Sequence, residues 1–162
     1  MNSNIFVEKQ NYRKWWVILL IILANLVYIY FLLKIDIIGD FKKEKLGLVF
    51  SWSIFILVSL LFYFLKLETK FDEKGIQYKM TPFHFKFKFI AWEDIQNYEI
   101  KKYNPLLDYG GWGIKQSMTG KGIAYNIIGN IGLYLTLKDN QKILIGTQKA
   151  EELKSFLETK IH

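Results

Sequence analysis

The sequence predicts a membrane α-helical hairpin joined to a mainly-β (α+β) domain that ends in one helix. Three observations predict it. Residues 15–33 (WWVILLIILANLVYIYFLL) and 46–65 (LGLVFSWSIFILVSLLFYFL) contain no charge. From Leu65 onward apolar and polar residues alternate, the period of a half-buried strand. Residues 148–161 (QKAEELKSFLETKI) then return to helical spacing.

The apolar runs are 19 and 20 residues long, enough for a helix to cross a hydrocarbon core of roughly 30 Å. Interfacial aromatics sit near their ends: Trp15 and Trp16, then Tyr28 and Tyr30, then Tyr63. Soluble helices rarely run this far without a charge. The first run is too long for a signal-peptide core, and its flank Leu33-Lys34-Ile35-Asp36 offers no small-residue cleavage site. The expected order is therefore a tail at 1–14, spans at 15–33 and 46–65 with a loop at 34–45, and a domain at 66–162. A short loop makes the spans a hairpin with both termini on one side. Lys9, Arg13, Lys14, Lys66, Lys70, Lys74 and Lys79 flank the hairpin there, against Lys34, Lys42, Lys43 and Lys45 in the loop. That bias predicts a multi-pass protein of the inner (cytoplasmic) membrane with both termini cytoplasmic. Within the spans Asn25, Ser53 and Ser59 are expected at helix–helix contacts, and a bond from Asn25 across to the second helix or to another copy is worth about 0.6–2 kcal/mol. With no charge inside the membrane, the pair makes a poor ion path.

In the domain, Leu65, Leu67, Thr69 and Phe71 alternate with lysines and a glutamate. Asp72-Glu73-Lys74-Gly75 turns into Ile76, Tyr78 and Met80, and Thr81-Pro82 breaks the chain. FHFKFKF (83–89) reads as the cleanest strand, with Phe83, Phe85, Phe87 and Phe89 on one face. A strand near 95–103 follows, then a loop from Asn104-Pro105 to DYGGWG (108–113). Further strands are expected at about 112–117, 121–126, 131–137 and 142–146, separated by Thr119-Gly120, Gly129-Asn130 and Asp139-Asn140. In the last segment Ala150, Leu153, Phe156 or Leu157, and Ile161 share a helical face. Thr147 stands as N-cap, Glu151 and Glu152 in the first turn, and Lys160 in the last. The total is seven or eight antiparallel strands closed by a helix.

This order of hairpins and terminal helix resembles the pleckstrin-homology superfold, and with two helices in front the chain resembles small bacterial membrane proteins carrying a PH-like domain. The stretches that carry the resemblance are GIQYKMTPFHFKFKFIAWEDI, YNPLLDYGGWGIK, GKGIAYNIIGNIGLYLTL and ILIGTQKAEEL. It implies an antiparallel, partly open β-barrel plugged by the C-terminal helix, and little about activity. Phosphoinositide-binding PH domains place cations in the loop after their first strand. Here that loop is Asp72-Glu73-Lys74-Gly75, so that function is not carried over.

DYGGWG admits two readings. Gly110 and Gly111 could let a ligand approach, with Trp112 as a stacking wall. Alternatively they supply positive φ or a bulge leading into a strand, with Trp112 in the core; the second is preferred. Lys86, Lys88, Lys101, Lys102 and Lys115 could form one basic face for anionic lipid, at about 1 kcal/mol per lysine, or a solvated sheet face relieved by Glu93, Asp94 and Glu99. The domain holds 15 Lys and 11 acids, net +4, and no Arg. With no cysteine, no phosphate loop, no G-x-S-x-G and no ligand-spaced cluster, neither enzyme chemistry, cofactor, metal nor nucleic acid is expected. His84 lies between lysine-bearing positions and His162 is the last residue. The expected function is non-catalytic: a membrane-anchored binding or scaffold protein whose partner is an unidentified protein or an anionic lipid surface. The alternative is a homo-oligomeric subunit of a transport or envelope-maintenance complex, regulated by the domain.

Overall fold

The computed structural model describes residues 5–12, 15–38 and 42–160. Arg13, Lys14, Ile161 and His162 lie outside the described residues, as does the middle of the expected loop. The chain divides into two compact units, Met1–Asn11 with Leu65–His162, and Tyr12–Phe64.

The second unit holds helices α1 (Trp15–Ile38) and α2 (Lys42–Phe64), which run on into the expected loop. Within α2, Leu46–Phe64 is long and apolar enough to cross a membrane, with mean hydropathy 2.2 and none of it buried. The described apolar stretch of α1, Ile18–Lys34, is shorter. Both helices expose large apolar side chains, among them Leu33, Phe50 and Leu57.

The first unit is a mixed α+β fold of two sheets. One has the order β1-β2-β3-β4, from β1 (Phe6–Asn11), β2 (Lys66–Phe71), β3 (Gly75–Thr81) and β4 (Lys88–Ala91). The other has the order β5-β8-β9-β7-β6, from β5 (Ile95–Lys102), β6 (Gly113–Gln116), β7 (Ile123–Asn126), β8 (Ile131–Leu137) and β9 (Lys142–Gly146). Helix α3 (Pro105–Tyr109) lies between β5 and β6, and α4 (Ala150–Lys160) ends the unit. The all-antiparallel expectation is corrected, and the tail expectation with it. Among the described residues eight strands, β2–β9, lie in the expected domain, within the seven or eight expected there, and they form two sheets with no closed barrel; a ninth, β1, comes from the expected tail, and β7 runs parallel to β9 rather than antiparallel.

Alternation decides the first sheet. Leu67, Thr69 and Phe71 of β2 and Ile76, Tyr78 and Met80 of β3 are buried, and the residues between them in each strand are not. Leu133, Leu135, Ile143 and Ile145 supply apolar burial from the second sheet, with Leu153 and Leu157 from α4. Phe156 of α4 packs on Phe6 and Phe71, with ring centroids 6.3 and 6.4 Å apart, and so joins the helix to the first sheet. Tyr78 meets Tyr125 across the two sheets at 4.8 Å. A second cluster, Tyr103, Tyr109, Ala124 and Leu144, buries further strand residues under α3. Residues Ile143–Ile145 are therefore buried without a break, the pattern of a strand covered on both faces.

Strand β1 falls in what was expected to be a tail. It pairs antiparallel with β2, Phe6 opposite Phe71 and Asn11 opposite Lys66. Its inward residues are Phe6, Glu8 and Gln10. Glu8 accepts hydrogen bonds from the Thr147 hydroxyl at 2.6 Å and the Gln148 N–H at 2.7 Å. Gln10 Nε2 donates to the Gly146 carbonyl at 2.7 Å. A strand from the start of the chain thus binds the segment that leads into the last helix, where the Thr147 hydroxyl also accepts from the Lys149 N–H; Thr147 lies two residues ahead of the cap position expected for it.

Candidate functional site: an exposed aromatic loop

The FHFKFKF segment is not the strand its alternation predicts. Pro82 has no N–H to give a ladder, and the Thr81–Pro82 bond is cis. Two hydrogen bonds close the chain on itself: His84 N–H donates to the Met80 carbonyl at 2.7 Å, and Met80 N–H donates to His84 Nδ1 at 3.2 Å. Pairing with β3 resumes only at Lys88, opposite Tyr78. Residues 82–87 therefore have no strand partner, and the phenylalanines no core to face. Phe83, Phe85, Phe87 and Phe89 are 51, 94, 47 and 54% exposed. Single exposed apolar residues are ordinary; four phenylalanines in seven positions are an apolar patch of the kind that marks a contact surface.

The loop is basic as well as aromatic. Between Glu73 and Glu93 there are four lysines, Lys74, Lys79, Lys86 and Lys88, and no acid. Lys79 Nζ lies 5.2 Å from the Phe87 ring centroid. Lys88 Nζ donates to the Tyr125 hydroxyl at 3.3 Å and lies over that ring. His84 packs against Tyr78 and Tyr125, with centroids 6.3 and 5.6 Å away. Burial, and then the charge of Lys88, lower its pKa below the ordinary histidine value. The base of the loop is thus held by stacked rings while its phenylalanines stay in the open.

Position adds a further fact. Thr81, the last residue before the loop, pairs with Lys66, and Lys66 pairs with Asn11. Asn11 and Leu65 are the residues at which the chain passes into and out of the helical unit. The loop leaves the sheet at that same end.

The structure does not bring the five lysines to one face. Lys86 and Lys88 belong to the loop and β4; Lys101 and Lys102 lie on β5, and Lys115 on β6, the two opposite edges of the second sheet. Lys101 is 2.6 Å from Glu99. With Lys102 it lines a cleft of about 360 Å³ that also holds Tyr134, Lys142 and the Asp108–Lys121 ion pair, 2.6 Å long. Lys121 and the Asn104 N–H hold the Asp108 carboxyl below its ordinary pKa.

DYGGWG is a helix end leading into a strand. Asn104 caps α3, accepting from the Leu106 and Leu107 N–H groups at 3.1 Å. Gly110 closes it in the left-handed region at φ 70°, where glycine costs least. Trp112 is not in the core: it is 40% exposed, and its indole N–H donates to the Gly129 carbonyl at 3.1 Å. The buried residue is Asn126, which accepts from the Gly113 N–H at 2.9 Å and donates to the Tyr103 hydroxyl at 2.9 Å.

Between the helices, Asn25 Oδ1 accepts from the Trp52 indole at 3.3 Å. Tyr28 and Ser51 are also hydrogen-bonded. Ser53 and Ser59 bond instead to carbonyls of their own helix, those of Val49 and Phe55, and Ser53 is exposed. Among the described residues no group of three His, Asp or Glu could hold a metal ion. Compared with known protein families, curated proteins and solved structures, the chain matches none.

Proposed function

We propose that this chain is a non-catalytic, membrane-anchored binding protein: α1 and α2 form a transmembrane hairpin, and a PH-like unit of two sheets and a terminal helix is presented on the cytoplasmic side as its docking module. The observation that carries the reading is the pairing of Asn11 with Lys66. The helical insert leaves and rejoins one sheet at neighbouring positions, so its two ends share one side of any bilayer it enters. Two apolar helices in tandem meet that demand by crossing and returning. Aromatic side chains at the helix ends suit the interface, and the four exposed phenylalanines give the module a surface to dock with. An oligomeric pore has less to recommend it, since Asn25 and Tyr28 find hydrogen-bond partners within a single hairpin.

The chain has no cysteine, so single substitutions report topology cleanly. Lys34→Cys in the last turns of α1 and Lys138→Cys in the β8–β9 turn are treated with a membrane-impermeant maleimide on intact cells stripped of outer barriers. Labelling of Lys34→Cys alone, with Lys138→Cys reacting only after permeabilisation, is the expected result. Labelling of both without permeabilisation sinks the hairpin, and the reversed pattern puts the module outside.

A further inference from the structure

We propose that residues 82–87 with Phe89 form a membrane-inserting loop, which seats its phenylalanines in the interface of the same bilayer that anchors the chain and sets Lys86 and its neighbours on anionic lipid head groups. This rests on the anchoring reading above and deepens it, by naming the docking element and its ligand.

Three independent observations converge. The first is place. The loop begins at Thr81, and the register Thr81–Lys66–Asn11 puts its root at the end of the sheet where the chain passes to the helices. A bilayer holding those helices begins within a few residues of that end. The second is chemistry. Aromatic rings partition to the head-group region, and lysines snorkel to phosphate while their stems stay apolar. The stretch from Lys74 to Trp92 has cations and aromatics and no acid to be repelled by an anionic leaflet. The third is that the fold leaves these rings in the open, with Lys79 over that of Phe87. The loop is closed by its own Met80–His84 bonds, and its floor is stacked on Tyr78 and Tyr125. Phe85, 94% exposed, takes no part in that closure. The loop is a preformed wedge, and because it is tethered, weak intrinsic affinity suffices to keep it docked.

The test uses the full chain in lipid nanodiscs, with an environment-sensitive fluorophore on Phe85→Cys, Leu57→Cys or Lys138→Cys. A lipid-borne spin label and aqueous iodide serve as opposing quenchers. Phe85 and Leu57 are both exposed, so neither substitution opens a core. The proposal expects lipid quenching at 57 and at 85, shielding of 85 from iodide, and an aqueous signal at 138. In anionic discs Lys86→Gln lowers the docked-to-free ratio about five-fold, the equivalent of one surface lysine, and in zwitterionic discs it changes nothing. Lipid quenching at 57 with position 85 open to iodide overturns the loop and leaves the anchor standing. No lipid quenching at 57 overturns the anchor and the loop with it. Shielding of 85 from iodide without lipid quenching means that protein, such as a second copy, covers the loop, and overturns the lipid assignment.

Discussion

His84 holds the aromatic loop only while its ring is neutral, because Nδ1 must carry a lone pair to accept from the Met80 N–H. Lys88, Tyr78 and Tyr125 surround it, with no carboxylate among these contacts to stabilise an added proton. Its folded pKa is accordingly lowered, so the unfolded chain binds the proton first. The sign follows: the ring's contribution is complete above the unfolded histidine value of about 6.5 and is lost as pH falls from there towards the folded value. In a His162→Gln background, the His84 ring signals followed by NMR should titrate with a midpoint below 6.5, and thermal stability should fall across that window. His84→Gln should flatten the fall, and a midpoint at or above 6.5 would refute the account. Asp72 and Asp108, whose pKa values are lowered, do not confuse the window, since they titrate further down. Single residues were unevenly legible in the sequence. Gly110 announced a backbone need, and it adopts φ 70°. Trp112 was misplaced because bulk and apolarity cannot say whether an indole N–H will find a carbonyl at the rim, as it does at Gly129.

Elements whose inward face is apolar were readable, and those whose inward face is polar were not. Strands β2, β3, β8 and β9 and helix α4 fall where alternation or helical spacing put them. Strand β1 was missed because it buries Glu8 and Gln10 beside Phe6, and no hydropathy pattern marks a strand that faces inward with a carboxylate. The FHFKFKF segment fails the opposite way: it alternates perfectly but has no ladder partner before Lys88. The reason β1 can bury Glu8 is that two donors just ahead of α4, the Thr147 hydroxyl and the Gln148 N–H, receive its charge. Glu8→Ala strips both of these acceptors and should destabilise the β-rich unit by about 2 kcal/mol in denaturant unfolding. Glu8→Gln retains acceptor capacity and should cost less, and Lys9→Ala, on the exposed face, should cost little. Equal effects of Glu8→Ala and Lys9→Ala would mean that these bonds contribute nothing.

Taken together, β1 and β2 are a β-hairpin whose turn has been replaced by a pair of apolar helices. Asn11 and Lys66 are paired Cα neighbours, separated by about 5 Å in such a ladder. In the proposed membrane hairpin, fixing its two ends at that spacing would tether the β-rich unit by two covalent strands rather than one. This arrangement could not be read from the chain, because a sheet partner lying beyond an apolar insert leaves no local signal; only the charge-free runs on either side of the loop were visible. If the insert is a turn in all but length, a true turn should substitute for it. Replacing Tyr12–Phe64 by Asn-Gly, between Asn11 and Leu65, gives the link a residue pair suited to tight hairpin loops. The spliced chain should fold without detergent and melt cooperatively. A chain starting at Leu65 lacks β1, loses the bonds of Glu8 and Gln10 to Thr147, Gln148 and Gly146, and leaves β2 as an open edge; it should melt lower and aggregate more. Equal melting of the two chains would show that β1 is a passenger, and would remove the geometric reason for placing both ends of the helical insert on one side of the membrane.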